Sequence, residues 1–486
     1  MKLNNIFATA LMLGSMAAAS APATAQEADP WMHLYYKNTN GLLSFPMEEI
    51  LQIGADSEEG NVIVTHADKG DIVLPMGNVL KWSIGANVPR LDITTDSYIY
   101  EVTSKTDYVS GKLKVSGHGL FEDLDDITVL LRGRGNSTWS WPKKAYRMKF
   151  ESKQKLCGFK KAKNYVLLAN YMDRSLMRNF AAYKFGELIE QPWINHIQPV
   201  DVYLNGGYKG SYMLTEKVGI NAGSVDLSTE DEAMAALYEL DTNTADYDEH
   251  PFTSTSYSLP VRIKDPDVPE DYTMAANWVQ TRKNWFNAME TAVKNGGDEM
   301  WDYVDLESLV RYVMCFNIAC NQELNHPKSV YLYTVNGGKF EFGPIWDFDW
   351  AYGFEPMYTK TDDSGDWGWG GGWGTTYPSY ENPLLGTGDN EGHGGEFFLA
   401  MCRTERFLTR YAEVWNDFYT NHIDEFWAAF EEYAETIEPT SAADKVILTY
   451  SSTYHEYLTT PEALREWLQN RFEYINNPDN NYGLWQ

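Results

Sequence analysis

Two carboxylates stand two residues apart in Trp346-Asp347-Phe348-Asp349-Trp350, among bulky aromatic side chains. In an extended segment, residues two apart point to one face, which would set these acids side by side. Like charges that close repel, and burying them unpaired is costly. A divalent cation relieves both penalties, and hard cations such as Mg2+ choose carboxylate oxygen. Asp347 and Asp349 are therefore candidate metal ligands or an acid/base pair. A surface turn with two solvated Asp is the alternative.

The second group is cationic. An apolar strand, Ile127 to Leu131, feeds Arg132-Gly133-Arg134-Gly135-Asn136-Ser137-Thr138-Trp139. Glycines there free the backbone to approach a ligand, and arginines add forked donors suited to phosphate or carboxylate. Taken singly, each arginine is also explained by an acid partner. The strand Lys143-Lys144-Ala145-Tyr146-Arg147-Met148-Lys149-Phe150 follows. Its alternation sends Tyr146, Met148 and Phe150 to one face and Ala145, Arg147 and Lys149 to the other. The full chain has a formal charge of −30. Anion binding explains so much positive charge gathered in so acidic a protein.

The elements that must hold these groups are mixed. Asp92 to Thr95, Lys112 to Val115 and Asn164 to Leu168 read as strands. Asp173 reads as the N-cap of a helix carrying Leu176, Phe180 and Tyr183, on which Arg174 and Arg178 share a face. Asp201 to Glu216 reads as a hairpin with a Gly-Gly turn, and Leu237 to Asp241 and Val261 to Lys264 as further strands. A helix from Asp305 presents Leu306, Leu309, Val313, Phe316 and Cys320. Ser329 to Tyr333 is the strand leading back to the acidic pair. Asp366 to Gly374 holds tryptophans on a glycine tether, equally suited to stacking on sugars, closing a lid or packing inward. The remaining C-terminal part is amphipathic helix, including one capped by Thr460 with Pro461 in its first turn. Residues 26 to 88 form short alternating runs cut by turns, a small β-rich module without clustered His, Cys or carboxylates, read as an interaction or spacer domain.

Composition bounds the rest. Hydrophobic residues at 43% and aromatics at 14% suit a globular chain with a large core. Residues 1–25 read as a secretory signal peptide, with a basic start, an apolar run and Ala23-Thr24-Ala25, so the protein is expected to be exported. Without them, 38 basic residues face 69 acidic ones, a formal charge of −31. Such a chain repels nucleic acid. No later stretch is long and apolar enough to span a bilayer, so an integral membrane protein is not expected. Four cysteines in so large a chain make no disulfide scaffold.

In order and number, these motifs resemble the CotH kinase family, over roughly residue 89 to the C-terminus. The carrying stretches are Arg132 to Trp139 with Lys143 to Phe150, Asp173 to Asn179, Gly207 to Glu216, and Trp346-Asp347-Phe348-Asp349 with Gly353. The resemblance implies an α+β, atypical protein-kinase-like domain over 89–486, with an antiparallel-rich N-terminal sheet and a helical C-terminal part, behind the 26–88 module. It implies phosphoryl transfer from ATP, with Mg2+, to a protein hydroxyl. Asp347 matches the family's metal-binding Asp, with Asp349 and Ser329 as further ligands. Glu323 joins Asp347 as the catalytic carboxylate. Lys149 or Lys144 would be the phosphate lysine, Glu216 its ion-pair partner, and Arg132 and Arg134 further phosphate contacts. Where the family has an Asp and then an Asn before the Tyr-rich strand, this chain has Glu323 and Ser329. Competing readings are a surface protein that uses the fold to hold glycan or protein without turnover, and a glycoside hydrolase using Asp347, Asp349 or Glu323. The basic strand separates them, since a hydrolase has no use for it.

Overall fold

The structure is a computed structural model that describes residues 31–36, 42–56, 59–85, 88–98, 101–228, 231, 234–242, 250–267, 269, 271–353, 379–386, 393–447 and 458–485. The expected leader over residues 1–25 and the Trp-rich stretch Asp366 to Gly374 lie outside the described residues.

The N-terminal region is β-rich. Strands β1 (Trp31–Tyr36), β2 (Leu42–Pro46), β3 (Ile50–Asp56), β4 (Asn61–His66), β5 (Gly70–Pro75) and β6 (Val79–Gly85) make two three-stranded sheets, β2-β1-β6 and β3-β4-β5. Their alternation buries Met32, Leu34, Phe45, Val64 and Leu74 in one small core.

A closed barrel follows. It comprises β7 (Arg90–Thr95), β8 (Val109–Ser116), β9 (Leu124–Arg134), β10 (Ala145–Gln154), β11 (Ala162–Leu168), β12 (Ile197–Leu204) and β13 (Gly207–Glu216). Their order round the barrel is β10-β11-β13-β12-β7-β8-β9. Only the β12–β7 pairing among these is parallel. Inward residues such as Leu131, Met148, Phe150, Tyr165 and Leu214 fill the interior, so the outer face is left to do chemistry.

The remaining strands form a second sheet, ordered β15-β16-β14-β17-β18. Its members are β14 (Ala235–Leu240), β15 (Phe252–Thr253), β16 (Pro260–Asp265), β17 (Val330–Val335) and β18 (Glu341–Phe342). The helix Leu306–Ala319, which begins at Asp305 as expected and is capped by its side chain, and the C-terminal helices bury the largest core. The whole is mixed α+β with an N-terminal β-rich region. Among the described residues no helix is long and apolar enough to cross a membrane. All four cysteines are free and buried, and burial pushes the Cys157 thiol up to about 12.

The helix expected after Asp173 needs correcting. It spans Arg178–Leu188 and starts after Met177, leaving Leu176 and Arg174 outside it. The Asp173 carboxylate instead accepts from Ser175 N at 3.0 Å and Arg178 N at 2.9 Å, holding a tight turn ahead of the helix.

Candidate functional site

A cleft of about 310 Å3 separates the outer face of the barrel from the face of the second sheet. Strand alternation decides what enters it. On β10, Tyr146, Met148 and Phe150 fill the barrel, so Ala145 and Arg147 face the cleft. On β9 the same rule turns Arg132 and Arg134 outward, and Arg132 lies directly opposite Arg147 in the ladder.

This places three guanidiniums together. Like charges directly opposite on a sheet are destabilising. Among the described residues no carboxylate lies within ion-pair distance of Arg132, Arg134 or Arg147. Arg132 Nη1 donates to the Lys105 carbonyl, Arg147 Nη2 donates to Asn164 Oδ1 at 2.9 Å, and Arg134 lies 5.5 Å from the Trp346 ring centre. The Nε atoms of Arg132 and Arg147 are buried with no hydrogen-bond partner. Burial, with the neighbouring Arg132 and Arg134 charges, lowers the pKa of Arg147. The triad is a set of cations short of an anion.

Across the cleft the deficit is reversed. Asp347 and Asp349 meet, their carboxyls sharing a hydrogen bond. Burial raises the pKa of Asp347, with Arg134 pulling the other way. Burial and the charges of Asp347 and Asp173 push Asp349 well above the usual carboxylate range. The pair does not arise from an extended segment. Asp347 has φ of +67°, a left-handed conformation uncommon outside glycine. The turn is strapped down from outside: Arg178 Nη1 donates to the Asp349 carbonyl at 2.8 Å, Phe348 N to Asn179 Oδ1 at 2.9 Å, and Asn321 Nδ2 to the Asp347 carbonyl at 3.1 Å. The Ser329 hydroxyl donates to Asp347 Oδ2 at 3.4 Å.

Mg2+ keeps several waters and takes one or two carboxylates alongside substrate phosphates. Among the described residues no group of three or more His, Cys, Asp or Glu is arranged to hold an ion. Asp347, Asp349 and Ser329 fit the smaller donor set that Mg2+ takes, and a cation there would replace the proton the two buried carboxyls share.

The second sheet supplies a third group. In the ladder Glu239 lies opposite Arg262 on one side and Tyr331 on the other. Glu239 Oε2 accepts from Arg262 Nη2 and Lys264 Nζ, each at 2.8 Å, and Oε1 from the Tyr331 hydroxyl at 2.6 Å. Arg262 Nη2 also donates to Asp241 Oδ2 at 2.8 Å. Burial opposes the charge on Glu239, but Lys264 and Arg262 outweigh it and hold its pKa down.

The cleft thus collects seven Lys and Arg against four carboxylates, in a protein of opposite overall sign. Residues 131–475, which carry all three groups, match the family described as CotH kinase protein. The chain belongs to the CotH kinase family. No curated protein matches it. The CotH match begins inside β9, so the N-terminal sheets, β7 and β8 precede it.

Within this CotH chain the expected residues divide. Arg132, Arg134, Asp347, Asp349 and Ser329 line the cleft. Lys144, Lys149, Glu216 and Glu323 are not among its lining residues. Lys144 precedes β10 and donates to the Trp139 carbonyl at 2.7 Å. Lys149 faces outward but lies two residues beyond Arg147, exposed, 5.9 Å from the Tyr108 ring centre. Glu216 shares the parity of Tyr212 and Leu214, which point into the barrel. It is fully buried, accepting from His196 N at 3.1 Å with His196 Nδ1 at 2.9 Å, and is no partner for Lys149. Glu323 sits in the short helical turn Gln322–Leu324, beside Asn321.

The glycines also let the loop pack against itself. A Cβ on Gly133 would lie 2.1 Å from the Trp139 ring, and Gly135 has φ of +98° with Thr138 Oγ1 at 1.9 Å from its would-be Cβ. They leave room for Trp139 and Thr138 to lie against the end of β9.

Arg147, Asp173, Arg178 and the Glu239 group were not among the expected residues. Alternation already placed Arg147 on the basic face. The signal for the last group was charge at every second position of two otherwise apolar strands, Glu239 with Asp241 and Arg262 with Lys264.

Proposed function

We propose that this CotH family member is an exported atypical kinase, of kinase-like fold over its family-matched region, that transfers the γ-phosphoryl group of ATP to a protein hydroxyl. The observation that supports it is the double deficit across one cleft. Among the described residues three guanidiniums have no carboxylate within ion-pair distance, and two buried carboxylates facing them have no Lys or Arg within it, Arg134 and Arg178 acting only from further away. A metal–polyphosphate satisfies both halves at once.

In this reading Arg132, Arg134 and Arg147 take the phosphate oxygens. Asp347, Asp349 and Ser329 would hold Mg2+, which neutralises charge on the transferring group. Lys264, fixed by Glu239, adds an ammonium from the opposite wall. The acceptor oxygen forms its bond to the γ-phosphorus as the bond to the β–γ bridging oxygen breaks. The hydroxyl proton goes to a carboxylate or to solvent, and the products are a phosphoester and ADP. Glu323, on the loop adjoining Asp347, is the carboxylate assigned to orient that hydroxyl.

The position of Glu323 outside the cleft lining favours a second reading, nucleotide binding without turnover. One experiment separates the two. The protein is incubated with γ-labelled ATP, Mg2+ and a mixed protein substrate, with Asp347→Ala in parallel, and nucleotide affinity is measured by calorimetry. Label transfer lost in Asp347→Ala supports the kinase. Mg2+-dependent binding without transfer supports the second reading, and no nucleotide binding overturns both.

A further inference from the structure

The basic character of β10 does not stop at the cleft. Residues 143–163 contain nine Lys and Arg and one acid, Glu151, in a chain with 39 basic and 69 acidic residues. Lys149, Lys153, Lys155, Lys161 and Lys163 are exposed on the hairpin that joins β10 to β11. Among the described residues none of these five has a carboxylate within ion-pair distance, and only Lys160 on this hairpin is paired, with Asp226 at 2.9 Å. The neighbouring β8–β9 hairpin behaves differently: Lys112 lies 3.5 Å from Asp126 and Lys114 lies 3.7 Å from Asp125. Where acids outnumber bases so strongly, a run of unpaired lysines marks a surface kept positive.

That surface is held in place. Leu156, Cys157 and Phe159 bury the connecting loop in the barrel core, and the Tyr165 hydroxyl donates to the carbonyls of Gln154 and Lys160 at 2.7 and 3.0 Å. It is also continuous with the cleft, because Arg147, which lines the cleft, and Lys149 lie on one face of β10. Lys153 lies six residues beyond Arg147, at most roughly 20 Å if the chain were fully extended, and the register with β11 shifts between Lys149 and Gln154.

We infer that the exposed face of the β10–β11 hairpin docks an acidic segment of the polypeptide that carries the acceptor hydroxyl. As a statement about substrate this rests on the phosphotransfer reading. The strand length sets the spacing, with Asp and Glu about four to eight residues from the acceptor. A polypeptide fits better than a larger polyanion. The track is one hairpin wide, and the rest of this chain repels anything that extends well past the Debye length of about 8 Å.

The test is fluorescence anisotropy on the full chain with labelled serine peptides of equal length: one with Asp and Glu at that spacing, one uncharged, one lysine-rich. The acidic peptide is expected to bind about tenfold more tightly than the uncharged one, with the advantage shrinking at high salt. Lys153→Glu/Lys155→Glu/Lys161→Glu/Lys163→Glu should abolish that advantage while the thermal midpoint and Mg2+–ATP affinity stay unchanged. Should charge reversal impair folding, the same four positions as Gln are expected to remove most of it. Equal binding of acidic and uncharged peptides, or an unaltered advantage in the folded variants, overturns the inference. So does tighter binding of heparin or of anionic phosphatidylserine vesicles than of the acidic peptide. Peptide binding is read without nucleotide. Docking that persists without any phosphotransfer leaves this surface standing and removes the kinase reading instead.

Discussion

Two ionic clusters sit on the same barrel and are built on opposite rules. One joins the barrel to the helix Ile423–Ile447. There Lys143 Nζ lies 2.7 Å from Asp444 Oδ1, both side chains almost completely buried, and Ser211 N donates to the same oxygen at 2.8 Å. Beside it Asp201 accepts from the Tyr208 hydroxyl at 2.8 Å and from the Thr440 hydroxyl. Each charge has its counter-charge or its donors. In the cleft, by contrast, Arg132 stands opposite Arg147 and Asp347 beside Asp349, although Glu239 on the second sheet is paired with Arg262 and Lys264. A buried cluster that neutralises itself holds structure together. One that sets like charges side by side is the arrangement that the proposed metal–polyphosphate would relieve.

The largest expected effect would break the first cluster alone. Lys143→Met leaves Asp444 buried without its cation and should cost about 3–5 kcal/mol in urea unfolding, with Mg2+–ATP affinity unchanged in the folded fraction. Equal loss of stability and affinity would mean the two clusters are not separate. Next comes Asp347→Ala, expected to lower phosphotransfer on the order of 100-fold. Its stability should change by no more than about 1 kcal/mol, because relief of the crowded buried acids is offset by the lost carboxyl–carboxyl hydrogen bond and by Ala at a left-handed φ. A marked fall in its thermal midpoint would show the acidic pair to be structural.

Arg147→Gln sharpens the contrast further. It should weaken ATP binding about tenfold, less at high salt, without destabilising the fold, since it relieves the opposition to Arg132. A stability loss like that of Lys143→Met would place Arg147 in the structural class. A smaller effect is pH-dependent. Burial raises Asp201 from 3.8 to about 6, so the folded state holds its proton more tightly than the unfolded chain. That contribution is complete at low pH and is lost as pH rises from about 4 through 6. Asp201→Asn should flatten the stability profile in this window, and an unaltered slope would assign it to other groups. The smallest effect is expected from a chain beginning at Val88. The N-terminal sheets touch the helix Ile423–Ile447 but not the cleft, so nucleotide affinity should be retained. Its loss in a folded protein would tie those sheets to the site.

Much of one wall was legible. Alternation along Ala145 to Phe150 separates barrel-filling residues from outward ones, because side-chain direction in a strand is a local property. The same rule, applied to Tyr212, Leu214 and Glu216, would have turned Glu216 inward. The charge pattern of Asp347-Phe348-Asp349 announced two carboxylates brought together, although through a left-handed turn and not an extended one. That turn needs Arg178, Asn179 and Asn321 to hold it, and its own residues carry no sign of them.

The opposite wall was decided by tertiary structure. Glu239, Arg262 and Tyr331 become neighbours only because β14 pairs with β16 and β17. Lys143 and Asp444 meet although they are 301 residues apart. The sequence by itself determined which residues each strand turns outward and how unusual the basic run is in an acidic chain. Which outward faces confront one another, and so which charges are neutralised and which are left for a ligand, depended on the packing of the second sheet against the barrel. Side-chain alternation is set by the backbone of a single strand, whereas charge compensation depends on distance in space, which chain order does not specify.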